Sequence, residues 1–130
     1  MARIFLGYQS ALVGARLSEM LTEMNGVDLM GVVFESDKLE HALETLEPEI
    51  AIVDIRLLIA SRIGDLNVLK TRFPETQFIL LYDFPYNQYS RECKRFGAEY
   101  CFETLHQFMD IERVVAEYNR RRRTRMSRAS

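Results

Sequence analysis

Asp54 closes the apolar run Ile50-Ala51-Ile52-Val53-Asp54, which puts a carboxylate at the carboxyl end of an otherwise apolar strand. Such a group needs a partner, and Arg56, two residues on, or nearby backbone N–H groups could hold it. Tyr8 and Tyr82 fall at the ends of two more apolar runs, where large aromatic side chains fill space. Thr104 and Gln107 have the Thr-x-x-Gln spacing of a capping box at a helix start. His41 and His106 fall on predicted helices without a ligand-spaced partner, which excludes both as catalysts or metal ligands. Cys93 and Cys101 are the only two cysteines. They are too few for a disulfide scaffold or a zinc site, and point to thiols in a reducing cytoplasm. The run Arg120-Arg121-Arg122-Arg123, with Arg125 and Arg128, could neutralise nucleic-acid phosphates, dock a partner, touch a membrane surface or stay solvated.

The elements that would position these residues alternate along the chain. Arg3 to Gly7, Leu29 to Phe34, Ile50 to Asp54, Phe78 to Leu81 and Tyr100 to Phe102 read as strands, and all but the second lack the polar alternation of a one-sided sheet. Between them, Leu12 to Met24 carries Val13, Leu17, Met20, Leu21 and Met24 on one helical stripe. Asp37 and Glu40 give a capping box for a helix running to Leu46. Leu66 to Phe73 and Asn87 to Phe96 are the third and fourth helices, stopped by Pro74 and Gly97. A fifth opens at Thr104 and places Phe108, Ile111, Val115 and Tyr118 inward. Five βα units predict a parallel sheet between two helical layers.

A chain of 130 residues fits one domain. Its 48% apolar and 28% charged composition excludes a disordered body. No apolar run approaches membrane-spanning length and the amino terminus lacks signal-peptide anatomy, so the expectation is a soluble cytoplasmic protein. The net charge of −2 conceals a division. Residues 1–112 hold 10 Lys/Arg against 18 Asp/Glu, and residues 113–130 hold seven Arg against one Glu, giving −8 and +6. The expected organisation is a body over residues 1–118 and an arginine-rich tail over 119–130.

Several of these residues carry a resemblance. Asp54-Ile55-Arg56-Leu57 ends the third strand, Arg72-Phe73-Pro74 closes the third helix, Gly97-Ala98-Glu99-Tyr100 leads into the fifth strand, and Ser10-Ala11-Leu12-Val13 enters the first helix. Together they resemble the receiver domain of two-component response regulators, over roughly residues 2–118. The resemblance implies a flavodoxin-like (βα)5 fold of strand order 2-1-3-4-5, with the site at the carboxyl ends of the strands. It makes Asp54 the phospho-acceptor position, served in such domains by Mg²⁺ on an acidic pair, a Ser/Thr and a lysine. On this alignment Tyr8 and Gln9 stand for the acidic pair, Tyr82 for the Ser/Thr and Thr104 for the lysine. Cys101 stands for the switching aromatic residue, and Leu58 for a common proline.

The expectation is therefore an atypical receiver, a signalling module rather than an enzyme, working by protein–protein contact with phosphorylation absent or inefficient. It would bind no Mg²⁺ and leave Asp54 as the lone carboxylate of a degenerate pocket. Its interaction face would run over the fourth helix, fifth strand and fifth helix, using Tyr86, Tyr89, Arg91, Lys94, Arg95, Tyr100 and Asp110, and could pair two copies. Two alternatives stay open: a conventional regulator phosphorylated at Asp54, and a nucleic-acid-associated regulator using the arginine tail.

Overall fold

The computed structural model describes residues 1–129 other than 62, 64, 65 and 84–87, with the backbone alone at 88–90, 128 and 129. Five strands, β1 (Ala2–Gly7), β2 (Val27–Val33), β3 (Ile50–Asp54), β4 (Gln77–Tyr82) and β5 (Tyr100–Glu103), form one parallel sheet in the order β2-β1-β3-β4-β5. This is the flavodoxin-like receiver fold that the sequence implied. Its helices are α1 (Ala11–Glu23), α2 (Leu39–Leu46), α3 (Ile55–Ala60), α4 (Leu66–Arg72), α5 (Gln88–Arg95) and α6 (Phe108–Ala129).

Strand alternation divides the core in two. Ile50 and Ile52 of β3 join Ile4, Leu6, Ile79 and Leu81 under α1 and α6, where Leu17, Leu21, Ile111 and Val115 cover them. Ala51 and Val53 point the other way, to Leu39 and Leu43 of α2, Leu58 of α3, Leu69 of α4 and Cys93 of α5. β3 lies in the middle of the sheet and is buried along its whole length, so Asp54 reaches the carboxyl-terminal edge between these layers.

Several local expectations change. α2 has Lys38 at its N-cap with no side-chain bond, and Asp37 lies in a 3₁₀ turn over Ser36–Lys38, so the Asp37–Glu40 box does not form. A helix absent from the sequence reading, α3, starts immediately after Asp54. Leu58 is inside it, where a proline would remove a helical N–H. Cys93 and Cys101, expected as separate thiols, are joined in a disulfide between α5 and β5, their Cα atoms 6.1 Å apart. Two cysteines make no disulfide scaffold, but the return of the chain through Gly97 brings this one pair together. The line drawn between residues 118 and 119 falls inside α6, which runs unbroken to Ala129.

The far half of α6 is tied to the body. Buried Asn119 donates from Nδ2 to the carbonyl of Asn25 at 3.1 Å, and Arg122 Nε lies 2.9 Å from Glu49 Oε2. Gly26 makes the first contact possible. Its φ of +77° suits glycine, and a Cβ there would fall 2.3 Å from Asn119 Nδ2.

Candidate functional site

The site lies at the carboxyl ends of β1, β3, β4 and β5. Asp54 caps α3: its Oδ1 accepts from the Arg56 backbone N–H at 3.0 Å, which satisfies one exposed donor of the first turn and places an anion at the helix start. Its Oδ2 accepts from the Gln9 backbone N–H at 3.1 Å. The helical turn also folds the Arg56 side chain back onto the carboxylate. Arg56 Nε lies 3.1 Å from both oxygens, and Nη2 donates to Oδ2 at 2.7 Å. The Asp54 side chain is 1% exposed, and five hydrogen bonds from four N–H groups surround it.

Arg56 holds a second carboxylate as well. Its Nη2 lies 2.7 Å from Asp83 Oδ2, just beyond β4. Asp83 Oδ1 accepts the hydroxyl proton of Tyr8. The same hydroxyl is 3.0 Å from Thr104 Oγ1, which donates to the Tyr82 carbonyl at 3.1 Å. The guanidinium carbon stands 5.7 Å from the centroid of the fully buried Tyr8 ring, within cation–π range. One guanidinium thus bridges two carboxylates, with a phenol on one side.

These contacts set the ionisation of the central groups. Burial, and then donation to Asp83, hold the Tyr8 hydroxyl above its ordinary value; its contact with Thr104 opposes this. Burial works against the Arg56 charge. The hydrogen bonds and charge of Asp54, with the charge of Asp83, outweigh it and raise Arg56 above the usual guanidinium range. The cation is permanent at any physiological pH.

The structure therefore brings together Asp54, Arg56, Tyr8 and Thr104. Gln9 contributes only its backbone N–H, its side chain being exposed. Tyr82 contributes its carbonyl, while its half-buried ring packs against the opposite core layer, under α2 to α5. It does not share the space filled by Tyr8. Cys101 belongs to the disulfide instead. Thr104 does not cap the last helix. Glu103 instead closes the turn that precedes α6, its carboxylate accepting from the N–H groups of Leu105 and His106, while Gln107 Oε1 accepts from the Glu103 N–H. The Thr104 hydroxyl turns to the site, donating to the Tyr82 carbonyl and lying against the Tyr8 hydroxyl.

Asp83 was missed, and Asp54 is consequently not the lone carboxylate. The signal was present: Asp83 follows the run Phe78 to Tyr82 just as Asp54 ends Ile50 to Val53. Among the described residues no group of three or more His, Cys, Asp or Glu side chains is arranged to hold a metal ion.

On the expected interaction face, Arg91, Lys94 and Arg95 are exposed on α5. Arg95 pairs with Glu92, and Asp110 with Arg113 of its own helix. Tyr100 is half-buried beside Phe102. Tyr86 and the Tyr89 side chain lie outside the described residues. In the arginine segment, Arg122 is held by Glu49, Arg120 and Arg121 share Glu117, and Arg123 and Arg125 are exposed. The Arg128 side chain is outside the described set. No helix described is long and apolar enough to cross a membrane.

Neither protein-family models nor curated protein sequences give a match to this chain. Solved structures do. The chain is similar to the receiver domain of a DNA-binding response regulator from Colwellia psychrerythraea, with TM-score 0.76 and 13% identity over 91% of this chain and 98% of that one. It is likewise similar to the receiver domain of AraT from Geobacillus stearothermophilus, with TM-score 0.75 and 15% identity over 96% and 98%. The response-regulator domain of Thermotoga maritima CheB matches with TM-score 0.69 and 18% identity over 93% and 95%. At these identities the likeness is one of fold.

Proposed function

We propose that this chain is a receiver-type signalling module that acts by protein–protein contact and does not depend on phosphorylation of Asp54. The observation that carries the reading is the Arg56 clamp. A carboxylate that attacks phosphorus must offer a lone pair along the line of attack and needs a cation to bring two anions together. The Asp54 oxygens already accept from Arg56 and two backbone N–H groups. The guanidinium supplies positive charge, but at the place an incoming phosphoryl group would need.

A magnesium ion does not fit this set of donors. It asks for a near-octahedral oxygen shell. Here Asp54 and Asp83 are bridged by a bulky cation, and the positions the resemblance gives to an acidic pair hold a buried phenol and Gln9. Its partner would be a protein, another signalling component or a second copy, meeting the face of α5, β5 and α6. A cytoplasmic location goes with this reading, and the Cys93–Cys101 bond would there face a reducing thiol pool.

The test is incubation with acetyl phosphate and Mg²⁺ followed by intact mass, alongside an NMR titration with Mg²⁺ alone. The expected outcome is no phosphorylated species and no change at Asp54, Arg56 or Asp83 at sub-millimolar metal. Stoichiometric phosphorylation, lost in Asp54→Asn, would establish the conventional regulator instead.

A further inference from the structure

We propose that the carboxyl-terminal half of α6 is a helical arm that binds duplex DNA through its exposed arginines. The inference is independent of the Asp54 pocket. Residues 113–130 contain seven arginines and no lysine, and guanidinium is the cation whose fork matches phosphate and guanine edges. The arm is a continuation of α6 and not a loose tail. Arg122 and Asn119 face the body, engaged with Glu49 and Asn25. Arg120 and Arg121 are 72% and 69% exposed, and Arg123 and Arg125 are exposed and form no salt bridge among the described residues.

This helix is electrostatically strained on its own. Arg120 and Arg123, Arg121 and Arg125, and Arg122 and Arg125 are like-charge pairs at three- and four-residue spacing, which disfavour a helix. Glu117 is the one acidic residue after Glu112, and Arg120 and Arg121 already share it. The anchors to the body hold the arginines in a rod, and a polyanion along that rod would relieve the repulsion. An α-helix about 10–12 Å across fits the major groove of B-form DNA, about 12 Å wide. It does not enter the deep, narrow major groove of a regular RNA duplex. The body, at −8 over residues 1–112, repels phosphate, so contacts are confined to the arm and binding is weak per copy. Its salt dependence is set by the arm's arginines exposed among the described residues, Arg120, Arg121, Arg123 and Arg125.

The test is fluorescence anisotropy of the full chain with a short labelled B-form duplex, in a salt series. Four phosphate contacts predict a slope of about −3.6 in log affinity against log salt, or about a 150-fold loss between 50 and 200 mM. Arg123→Gln with Arg125→Gln should halve the slope to about −1.8, leaving a loss of about 12-fold over the same range. Thr124→Pro keeps every charge but interrupts the rod, and should weaken binding by about fivefold or more. The acetyl-phosphate and Mg²⁺ result on Asp54 does not enter this readout, so failure here and failure of the pocket reading are separable. The proposal is overturned if the wild-type slope is no steeper than −1.8, if Thr124→Pro binds as well as wild type, or if polyglutamate, anionic vesicles or duplex RNA bind as tightly as the DNA.

Discussion

Replacing Arg56 by Met tests whether the guanidinium clamp organises the site. Methionine keeps most of the length and apolar stem but removes the charge, so Asp54 loses its three side-chain hydrogen bonds and Asp83 its ion pair. Removing one member of a buried pair costs about 3–5 kcal/mol, because the other charge stays desolvated. Asp54 keeps two backbone N–H donors and Asp83 is a quarter exposed, which argues for the lower end, about 3 kcal/mol. For a chain of this size that is a fall in Tm of roughly 10 °C. Asp54→Asn with Arg56→Met removes both charges and should recover about 2 kcal/mol relative to the sum of the single changes. Urea unfolding of the four proteins at pH 7 measures the cycle. If Arg56→Met lies within about 0.5 kcal/mol of wild type, or if the two changes simply add, the clamp holds nothing and the account of the site fails.

Three other outcomes follow from the same contacts. Because the folded state holds the Tyr8 hydroxyl above its ordinary value, the unfolded chain ionises first, from about pH 10 upward. Stability should be full below that pH and decline as pH rises above it, and in Tyr8→Phe that decline should be reduced when unfolding is followed across the range. Gly26→Ala should destabilise by about 1–2 kcal/mol from its positive φ alone, more with the clash at Asn119, and should loosen α6 beyond Val115 in hydrogen exchange. If two copies pair through α5, β5 and α6, Lys94→Glu with Arg95→Glu should raise the dissociation constant in analytical ultracentrifugation; a monomer at every concentration would remove that interface.

The strands were legible because a parallel sheet covered on both faces demands continuous apolar runs, which alternate here with segments of helical period. α3 was not, since Ile55 to Ala60 is apolar on all sides apart from Arg56 and carries no helical stripe. Its start depends on Asp54 turning back to cap it, a tertiary fact hidden from periodicity. Asp54, Arg56, Tyr8 and Thr104 were all found in the sequence, with Arg56 as a partner for Asp54, but Tyr8 and Thr104 only as separate substitutions at family positions. The pair Asp54–Arg56 is joined to Tyr8 and Thr104 through Asp83, which lies beyond another strand's end, far from them in sequence. Thr104 shows the same limit: the Thr-x-x-Gln spacing is present, but its hydroxyl turns to the Tyr82 carbonyl and the helix starts only at Phe108.

The clamp also bears on what kind of signal such a protein could carry. A metal ion in a receiver pocket exchanges with solvent, so the pocket can be loaded and emptied. Arg56 is covalently part of the chain, it cannot lose its proton at physiological pH, and its backbone N–H is bonded to the same carboxylate. Opening the pocket would therefore break an ion pair and the first turn of α3 together. These two costs fall on the same few atoms, so they must be met in one step and not in small increments. On the reading proposed above, Asp54 has moved from reagent to structural anchor: it starts a helix, orients a cation and, through that cation, fixes Asp83 and Tyr8 at the end of two other strands. Whatever varies when this protein signals would then be which partner is present on its outer helices, with the pocket behind them kept constant.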